Sequence, residues 1–296
     1  MKRAVGLGLI LLAGCKEAPV ASTPRPAWKP VNHIRPGTRL VSDFAVPVLM
    51  YHRIANLTPK EERSPLMRDL TVSPKDFEEQ VRYLKEEGFT FLFAREVEDA
   101  LREGRPLPEK AICLTMDDGY RDNFEEAFPI LQRHGACATV FVVTKSIGRS
   151  DRLHWNEMQQ MKRGDTDFGS HSVSHPDLTT LNNETLDFEL RESKSVLEKG
   201  LEMPISSVAY PSGAYDDRVV DRARLAGYLS GWKKGGGPVR PGDEPMLLPR
   251  VRVHGRTTPE KFRRSVWSGV YVRAEESSRG SGHFAALEPQ SQRDRS

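Results

Sequence analysis

Cysteine is scarce in this sequence of 296 residues, which contains only Cys15, Cys113 and Cys137. No two of them have the CxxC spacing of common zinc motifs, so we expect no cysteine-rich zinc site. Cys113 and Cys137 both lie in apolar, strand-like segments. We therefore predict two buried free thiols there rather than a disulfide.

An excess of one charge is also missing. The formal net charge is +3, and the 44 basic and 41 acidic residues are spread along the chain. Without a basic stripe or patch, nothing indicates a nucleic acid partner, and no particular protein partner is indicated either. With 38% hydrophobic and 29% charged residues, the composition is that of an ordinary globular protein with a sizeable core.

The longest apolar run near the N-terminus, residues 4–13, is too short for a membrane span, which needs about 20 residues. Two basic residues precede it, as in a bacterial export signal. Residues 12–15, Leu-Ala-Gly-Cys, resemble the cleavage box of bacterial lipoproteins. We therefore predict a lipoprotein signal peptide over residues 1–15, lipidation at Cys15, and an exported protein anchored to a membrane of the cell envelope. The alternative is an ordinary signal peptide with a chance cysteine.

Composition divides the rest of the chain into three parts. Five prolines among residues 16–42 predict an extended tether. Residues 273–296 are rich in Ser, Glu, Arg and Gly and show little periodicity, which predicts a disordered tail. Residues 43–272 then form the folded domain, and their number is within the usual range for a single domain.

Strand-like and helix-like segments alternate through the predicted domain. Apolar or β-branched runs predict strands, and apolar residues spaced by three and four positions predict helices. Ser73 and Pro74, for example, are typical of the start of a helix that ends at Gly88. The predicted strands are 46–51, 111–116, 138–143, 167–170 and 208–210, and the predicted helices are 74–87, 123–134, 183–199 and 217–226. This alternation indicates a parallel sheet with helices outside, either a barrel or a doubly wound fold.

The first chemically distinctive segment, Thr-Met-Asp-Asp-Gly at residues 115–119, ends the predicted strand 111–116. Asp117 and Asp118 are adjacent carboxylates that repel one another, and a cation or a shared proton would relieve the repulsion. Gly119 permits a tight turn that lets both approach one centre. The alternative is a helix N-cap with a spare acid.

The second segment is His-Ser-Val-Ser-His-Pro at residues 171–176. His171 and His175 can converge on one metal ion if the backbone between them turns, although such a pair also occurs on surfaces by coincidence. Taken together with Asp117 and Asp118, the histidines describe a hydrolytic metal site with open coordination positions. One carboxylate is then left for acid–base chemistry.

These segments resemble the motifs of the polysaccharide deacetylase family, also called the NodB-homology or carbohydrate esterase family 4 enzymes. Residues 115–119 are similar to the Thr-Phe-Asp-Asp-Gly motif, and residues 171–176 match the His-Ser/Thr-x-x-His-Pro motif. Residues 209–213 look like the third motif, and the resemblance extends over about residues 45–270. It implies a single catalytic domain of the α/β class, a distorted (β/α) barrel with fewer strands than eight.

The resemblance also implies roles for the motif residues. Asp118, His171 and His175 would bind a divalent metal ion, most often Zn²⁺ in the family. Asp117 would be the general base that takes a proton from the attacking water. A backbone N–H near Ser212 would stabilise the tetrahedral oxyanion.

Two histidines compete for the role of general acid, which protonates the leaving amine. His52 ends residues 46–52, which resemble the opening of envelope deacetylases that act on poly-N-acetylglucosamine. His254 ends residues 251–254, which resemble the family motif in its usual late position. We favour His52, because its surrounding segment is the closer match, and keep His254 as the alternative.

The sequence departs from the family pattern in the third motif. Ala209 stands where many members have an arginine that orients the base, and Ser212 stands where they have tyrosine. Related envelope deacetylases commonly have an apolar residue at the first of these positions. Trp232 is the nearest candidate for the fourth motif, while Tyr210 and Trp155 are candidates for stacking on sugar rings.

The implied activity is hydrolysis of N-acetyl groups from a β-linked N-acetylhexosamine polysaccharide, such as a biofilm glucosamine polymer, peptidoglycan or a chitin-like chain. One alternative is an esterase of O-acetylated xylan or wall polymer, which the same site would serve. A second is a non-catalytic glycan-binding lipoprotein, which the missing arginine at position 209 would permit. The enzyme is favoured because a binding protein has no need of Asp117, Asp118, His171 and His175 together.

Overall fold

The computed structural model describes residues 36–267 of the chain. The predicted signal peptide with Cys15, most of the predicted tether and the predicted tail over 273–296 lie outside the described residues. Between residues 36 and 267, no helix combines the length and the apolar character that crossing a membrane requires.

One parallel sheet of eight strands organises the described part of the chain. In chain order the strands of the molecule are β1 (Leu40–Val41), β2 (Val48–Tyr51), β3 (Arg53–Ile54), β4 (Thr71–Val72), β5 (Thr90–Leu92), β6 (Leu107–Pro108), β7 (Ala111–Met116), β8 (Ala138–Val142), β9 (Thr166–Ser170), β10 (Ser207–Ala209), β11 (Ser230–Trp232) and β12 (Val251–Arg252). The sheet has the order β11-β10-β9-β8-β7-β2-β12, with β5 pairing to β7 beside this path. Every pairing within it is parallel, as the sequence predicted.

The sheet curls until one segment touches both of its edges. Leu248 forms a bridge with Trp232 of β11, and three residues later β12 pairs with β2. This arrangement is the distorted (β/α) barrel that the resemblance implied. The resemblance also implied fewer than eight strands, whereas the sheet has eight. Two of them are minor, because β12 has 2 residues and β5 pairs only with the first half of β7.

Helices connect the strands of the barrel. They are α1 (Pro65–Leu70), α2 (Pro74–Glu86), α3 (Ala94–Glu103), α4 (Phe128–His134), α5 (Trp155–Arg163), α6 (Asn183–Leu201), α7 (Asp217–Leu225) and α8 (Pro259–Trp267). The predicted start of α2 is confirmed, since the Ser73 side chain caps the helix and Pro74 is its first residue. Its apolar stripe is buried at Phe77, Val81 and Leu84, so amphipathic spacing and packing agree.

Two predicted helices differ in detail from the observed ones. The helix predicted over 123–134 begins with a π-helical turn, Asn123–Ala127, before α4. The helix predicted to stop at Gly200 continues through Leu201. Gly200 serves packing instead of termination, because a Cβ atom at this position would lie 2.1 Å from the Trp155 ring. The absent side chain lets α5 pack closely against α6.

Alternate strand residues fill two separate hydrophobic clusters. Val48 and Trp232 belong to one cluster, whereas Leu49 belongs to the other, larger one, which also contains the buried helix residues Phe77 and Leu84. Successive side chains of a strand point to opposite faces, so the first cluster fills the barrel interior. Trp232, the candidate for the fourth motif, is therefore a core residue.

The two cysteines of the domain behave as predicted. Cys113 and Cys137 are both buried and neither forms a disulfide. Burial raises the pKa of both thiols, which keeps them protonated and unreactive.

Candidate active site

The predicted site residues gather where the parallel strands end. Asp117 directly follows β7, His171 follows β9, His52 follows β2, and His254 comes two residues after β12. Because the strands are parallel, these C-terminal ends lie at one edge of the barrel. Residues as far apart in the sequence as His52 and His254 are thereby brought to the same face.

Asp118, His171 and His175 form a compact cluster at this edge. Nε2 of His171 lies 3.5 Å, and Nε2 of His175 lies 3.6 Å, from Oδ1 of Asp118. The three potential ligand atoms lie within 4.8 Å of one another. Nδ1 of His171 is 2.8 Å from the backbone oxygen of Ala209. That oxygen can only accept a hydrogen bond, so Nδ1 carries the proton and Nε2 presents its lone pair to the cluster.

The backbone of the cluster is unusual at several positions. Asp118 has φ of 72°, Ser172 of 64° and His175 of 61°, values in the left-handed region that non-glycine residues seldom adopt. Gly119 also has positive φ, and a Cβ atom there would lie 3.3 Å from a methyl group of Val142. The tight turn predicted at Gly119 is confirmed. Such strained positions concentrate at functional sites.

A buried carboxylate from α6 braces the loop between the two histidines. The N–H groups of Val173 and Ser174 donate to Oε2 of Glu189 at 2.8 and 2.9 Å, and the Ser174 hydroxyl donates to Oε1 at 2.6 Å. Glu189 is only 5% exposed, on the same buried face as Leu186 and Leu190. An acid on an apolar helix face was the signal in the sequence, and sequence reasoning overlooked it.

Asp117 lies under the cluster and is bound by an arginine from the far end of the domain. Nη1 and Nη2 of Arg250 donate to the two carboxylate oxygens at 2.6 and 2.8 Å. Both side chains are almost completely buried. Burial alone would raise the pKa of Asp117, but the adjacent Arg250 guanidinium outweighs this effect and holds that pKa well below its usual range. Asp117 is therefore ionised and fixed in orientation.

Arg250 supplies the guanidinium group that the third motif lacks at position 209. Ala209 is fully buried in the barrel interior, and its methyl side chain cannot bind a carboxylate. Arg250 comes instead from the segment that closes the barrel, immediately before β12. Sequence reasoning missed Arg250 because the family pattern places this arginine at position 209. A single arginine within the apolar run of residues 246–251 was the available signal, since a buried charge requires a partner.

The two candidate acids occupy different surroundings. His52 lies within the influence of Asp117 and Asp118; burial lowers its pKa, and these two carboxylates oppose that effect. His254 instead pairs with Asp69, a residue that the sequence motifs did not indicate. Nδ1 of His254 lies 2.8 Å from Oδ1 of Asp69. Asp69 also accepts a hydrogen bond from Arg252 at 2.6 Å. The electrostatic neighbours of His52 thus include the predicted base and a predicted metal ligand, as well as Arg252, whereas the direct partner of His254 is Asp69.

The predicted substrate-binding residues are placed less favourably. Tyr210 is fully buried and its hydroxyl donates to the backbone oxygen of Met246, so it offers no ring face to a sugar. Trp155 packs on Gly200, about 16 Å along α6 from Glu189, and thus away from the cluster. Ser212 lies in the turn after β10 with φ of 58°, and its oxyanion role stays a prediction.

The barrel, the Asp–His–His cluster and the second, buried carboxylate together define a class of protein: a hydrolytic enzyme on an α/β barrel. A sequence model of the polysaccharide deacetylase family matches residues 104–230. The chain belongs to that family, whose members are hydrolases acting on carbohydrate.

Solved structures and a named relative support the same assignment. The chain is similar to the deacetylase PplD of Streptococcus pyogenes, at 32% identity and a TM-score of 0.71, with 75% of this chain and 98% of that one covered. A polysaccharide deacetylase of Bacillus cereus gives 31% identity and a TM-score of 0.67, over 76% of this chain and 69% of that one. The poly-beta-1,6-N-acetyl-D-glucosamine N-deacetylase of Staphylococcus aureus strain COL is 24% identical over 247 residues, covering 77% of this chain and 84% of that protein.

Proposed function

We propose that this protein is a metal-dependent deacetylase that removes N-acetyl groups from a β-linked N-acetylhexosamine polysaccharide. One observation carries the proposal: an Asp–His–His cluster lies directly beside a separate carboxylate, Asp117, that Arg250 holds ionised. Each group has a distinct task in amide hydrolysis. The cluster would hold the metal ion, and Asp117 would take up a proton.

The donor set of the cluster fits a divalent metal ion. Two imidazole nitrogens and one carboxylate oxygen form a common set of ligands for catalytic zinc, and three protein ligands leave a position open for substrate or water. His171 is held in the ligand tautomer by its bond to Ala209, and Glu189 braces the loop that carries both histidines. A bound Zn²⁺ would polarise the acetyl carbonyl and make the attacking water more acidic. We infer that Asp118, His171 and His175 are its ligands.

Asp117 has the features of the general base. It is ionised, buried and held by two hydrogen bonds to Arg250, so its carboxylate presents a fixed oxygen to the cluster. Its Oδ2 lies 3.9 Å from Nε2 of His171, which places it next to the ligands without being one of them. A water between Asp117 and the acetyl carbon would lose its proton to this carboxylate as the C–O bond forms.

His52 is assigned as the general acid, with His254 as the alternative. Collapse of the tetrahedral intermediate breaks the C–N bond, and the leaving amine then requires a proton. The charges of Asp117 and Asp118 act on His52, which supports its proximity to the reacting group. The N–H of Ser212, in the turn beside the barrel edge, is assigned to the oxyanion.

The substrate class follows from the relatives. The Staphylococcus aureus relative, most of whose length the chain covers, is named for its action on poly-β-1,6-N-acetyl-D-glucosamine. A neutral N-acetylated amino-sugar polymer is therefore the proposed substrate. The alternative of a non-catalytic binding protein depended on the missing arginine at position 209, and Arg250 removes that reason.

We also propose that the enzyme works in the bacterial cell envelope. The support is the sequence of residues 1–15, with its basic start, short apolar run and Leu-Ala-Gly-Cys ending. Lipid attachment at Cys15 would anchor the domain through the proline-containing segment that follows. Radiolabelled fatty acid incorporation by the wild type, absent from Cys15→Ser, tests this part independently of activity.

Acetate release by the purified protein tests the central proposal. The substrates are N-acetylglucosamine oligomers, peptidoglycan fragments and acetylated xylan, each with added Zn²⁺. We expect release from an amino-sugar polymer, complete loss in Asp118→Ala together with its metal, and loss in Asp117→Asn with metal retained. Release from xylan alone would identify an O-acetyl esterase instead, and full activity of Asp117→Asn would refute the assignment of the base.

A further inference from the structure

Two polar residues beyond the first motif contact the stretch of chain that carries His52. Asp122 precedes the π-helical turn Asn123–Ala127, and Asn123 is the first residue of that turn. Turns of this kind are rare and are frequently found at functional sites. Neither side chain has a part in metal binding or in proton transfer, so their contacts call for a different explanation.

Asn123 binds the peptide group that follows His52. Nδ2 of Asn123 donates to the backbone oxygen of His52 at 2.9 Å and to Oδ1 of Asp122 at 3.2 Å, so two acceptors hold the amide in one orientation. Asn123 is completely buried, and within residues 36–267 its Oδ1 has no hydrogen-bond partner. A buried polar atom without a partner costs free energy. Asn123 is thus maintained at a cost, and its visible contribution is the contact with His52.

Asp122 binds the two residues that come after His52. Its Oδ1 accepts the N–H of Ile54 at 3.0 Å, and its Oδ2 accepts Nε of Arg53 at 3.1 Å. Oε1 of Glu61 accepts a further hydrogen bond from Arg53 at 2.7 Å. Hydrogen bonds to an ionised carboxylate are shorter and stronger than those between neutral groups. The chain after His52 therefore cannot shift without breaking several hydrogen bonds. We call Asp122 and Asn123 together the bracket.

The chain before His52 is fixed by the sheet. Tyr51 lies opposite Met116 in the pairing of β2 with β7, and its backbone oxygen accepts the N–H of Asp117 at 3.0 Å. Within residues 36–267, the imidazole of His52 forms no hydrogen bond of its own, whereas the ring of His254 is held by its carboxylate partner. The backbone on both sides therefore sets the direction of the His52 side chain and leaves mainly a choice among rotamers.

We propose that Asp122 and Asn123 are positioning residues for the general acid: the bracket holds the backbone of residues 52–54 so that the His52 imidazole faces the leaving nitrogen. The proposal rests on the proposed function, in which His52 protonates that nitrogen. As the C–N bond breaks, its electron pair passes to nitrogen, which takes the proton of the His52 imidazolium and departs as a neutral amine. Loss of the bracket slows this step and leaves metal binding and attack by water intact.

The dependence of activity on the leaving group tests the bracket. An amine requires a proton to depart, whereas 4-nitrophenolate is a stable anion at neutral pH and departs without one. For the full chain with Zn²⁺, kcat/KM is measured on an N-acetylglucosamine pentamer and on 4-nitrophenyl acetate. Asn123→Ala should lower the value for the pentamer by about 10- to 100-fold, as expected for a catalytic group displaced by about 1 Å.

The value for the aryl ester should change by less than about threefold in Asn123→Ala and also in His52→Ala, because neither variant alters the base or the metal ligands. Asn156→Ala, at an exposed position of α5, is the matched control and should leave both values unchanged. Equal losses on the two substrates would show that Asn123 supports the whole site rather than the acid, and would overturn the proposal.

A double variant shows whether Asn123 acts through His52. His52→Ala alone should lower kcat/KM for the pentamer by about 100-fold or more, the usual contribution of a general acid. Adding Asn123→Ala to His52→Ala should lower it further by less than about twofold, because the positioned group is already gone. Losses that multiply would contradict the proposal. So would losses that fail to multiply with His254→Ala instead of His52→Ala.

Asp122→Asn is a second, isosteric test of the bracket. It keeps an oxygen for the N–H of Ile54 but loses the charged bond to Arg53, so we expect about tenfold loss on the pentamer and little on the aryl ester. Crystal structures of the wild type and both variants give a readout that is independent of activity. The His52 imidazole should move by about 0.5 Å or more, the tolerance within which catalytic geometry is held.

An imidazole that stays in place in both variants would overturn the role of the bracket while leaving the deacetylase intact. Absence of acetate release from every amino sugar by the wild type, together with a displaced imidazole in the variants, would instead refute the proposed function and leave the structural role of the bracket standing.

Discussion

At the scale of single residues, the candidate site places a buried ion pair beneath a loop with left-handed backbone. Replacing a buried pair such as Arg250–Asp117 with apolar residues is often neutral or stabilising for the fold, so orientation of Asp117 explains the pair better than stability does. The left-handed values at Asp118 and His175 likewise cost free energy and are maintained by surrounding bonds. Both features are understandable if the geometry serves catalysis.

Arg250→Lys tests the orientation of the base. Lysine keeps the positive charge but cannot donate two parallel hydrogen bonds to one carboxylate. We expect kcat to fall by about tenfold or more, since misplacement of a catalytic group by about 1 Å has effects of that size. Metal affinity should stay within about twofold of the wild-type value, because Arg250 contacts no residue of the cluster. Steady-state kinetics and chelator competition measure the two quantities, and a parallel loss of metal would contradict the assignment.

Glu189→Gln tests the brace of the histidine loop. The amide oxygen can still accept the two backbone N–H bonds, but the negative charge is lost and the NH₂ group cannot accept the bond that the Ser174 hydroxyl donates to Oε1. Changes to groups that hold metal ligands in place commonly reduce metal affinity by about 10- to 100-fold, and we expect a loss in that range. Glu192→Gln, at an exposed position of the same helix, is the control. If both variants bind Zn²⁺ as tightly as the wild type, the carboxylate has no role at the metal.

Contiguous motifs revealed the part of the site that lies within two short segments. Asp117 with Asp118, and His171 with His175, are each close in sequence, so their spacing carried the information. Arg250 was missed because its bond to Asp117 spans 133 positions, and only the folded barrel makes that contact visible. Tyr210 was misjudged for the related reason that sequence alone does not show whether a ring faces solvent or the core.

At the scale of helices and strands, local sequence patterns predicted which elements are present better than they predicted where those elements end. The strand Ala111–Met116 and the start of α2 were confirmed, because apolar runs and N-cap residues are local signals. The end of α6 was wrong, because Gly200 is a helix-ending residue by propensity, whereas here a neighbouring ring requires its small size. Packing from another element therefore decided what glycine does at this position.

Gly200→Ala measures that packing directly. The added methyl group would meet the Trp155 ring, and overpacking of this kind typically destabilises a protein by about 1–3 kcal/mol. An alanine in an exposed helix would instead stabilise it by about 1 kcal/mol, so the sign of the change distinguishes the two roles of the glycine. Gly237→Ala, where a Cβ atom meets nothing within 4 Å, serves as the control. Urea unfolding of the three proteins gives the values.

At the scale of the whole molecule, alternation of strands and helices left both a barrel and a doubly wound sheet open, and the family resemblance selected the barrel. The choice depends on whether the two edges of the sheet meet, which is a long-range property. Here the edges meet through the segment from Leu248 to β12. That segment also carries Arg250, so closure of the barrel and orientation of Asp117 are properties of the same stretch of chain.

The start of α3 holds a buried acid whose titration should affect the stability of the domain as a whole. Glu96 is 5% exposed, its carboxylate accepts a hydrogen bond from Phe93 N–H at 2.9 Å, and burial raises its pKa from 4.5 to about 7. Between pH 4.5 and about pH 7, Glu96 is therefore protonated in the folded protein but ionised in the unfolded chain. The associated stability is fully present below pH 4.5 and is lost as the pH rises through about 7. The free energy involved is on the order of 3 kcal/mol.

Glu96→Gln removes this titration while keeping an oxygen that can accept the Phe93 N–H. As the pH rises from 5 to 8, the free energy of unfolding of the wild type should therefore decrease relative to that of the variant. At pH 8, Glu96→Gln should be the more stable protein. Urea unfolding of both proteins across this range measures the difference, and Glu79→Gln at an exposed position of α2 controls for loss of an acid elsewhere. A constant difference between wild type and Glu96→Gln would mean that Glu96 is ionised in the folded barrel throughout, which its burial argues against because a buried carboxylate favours its neutral form.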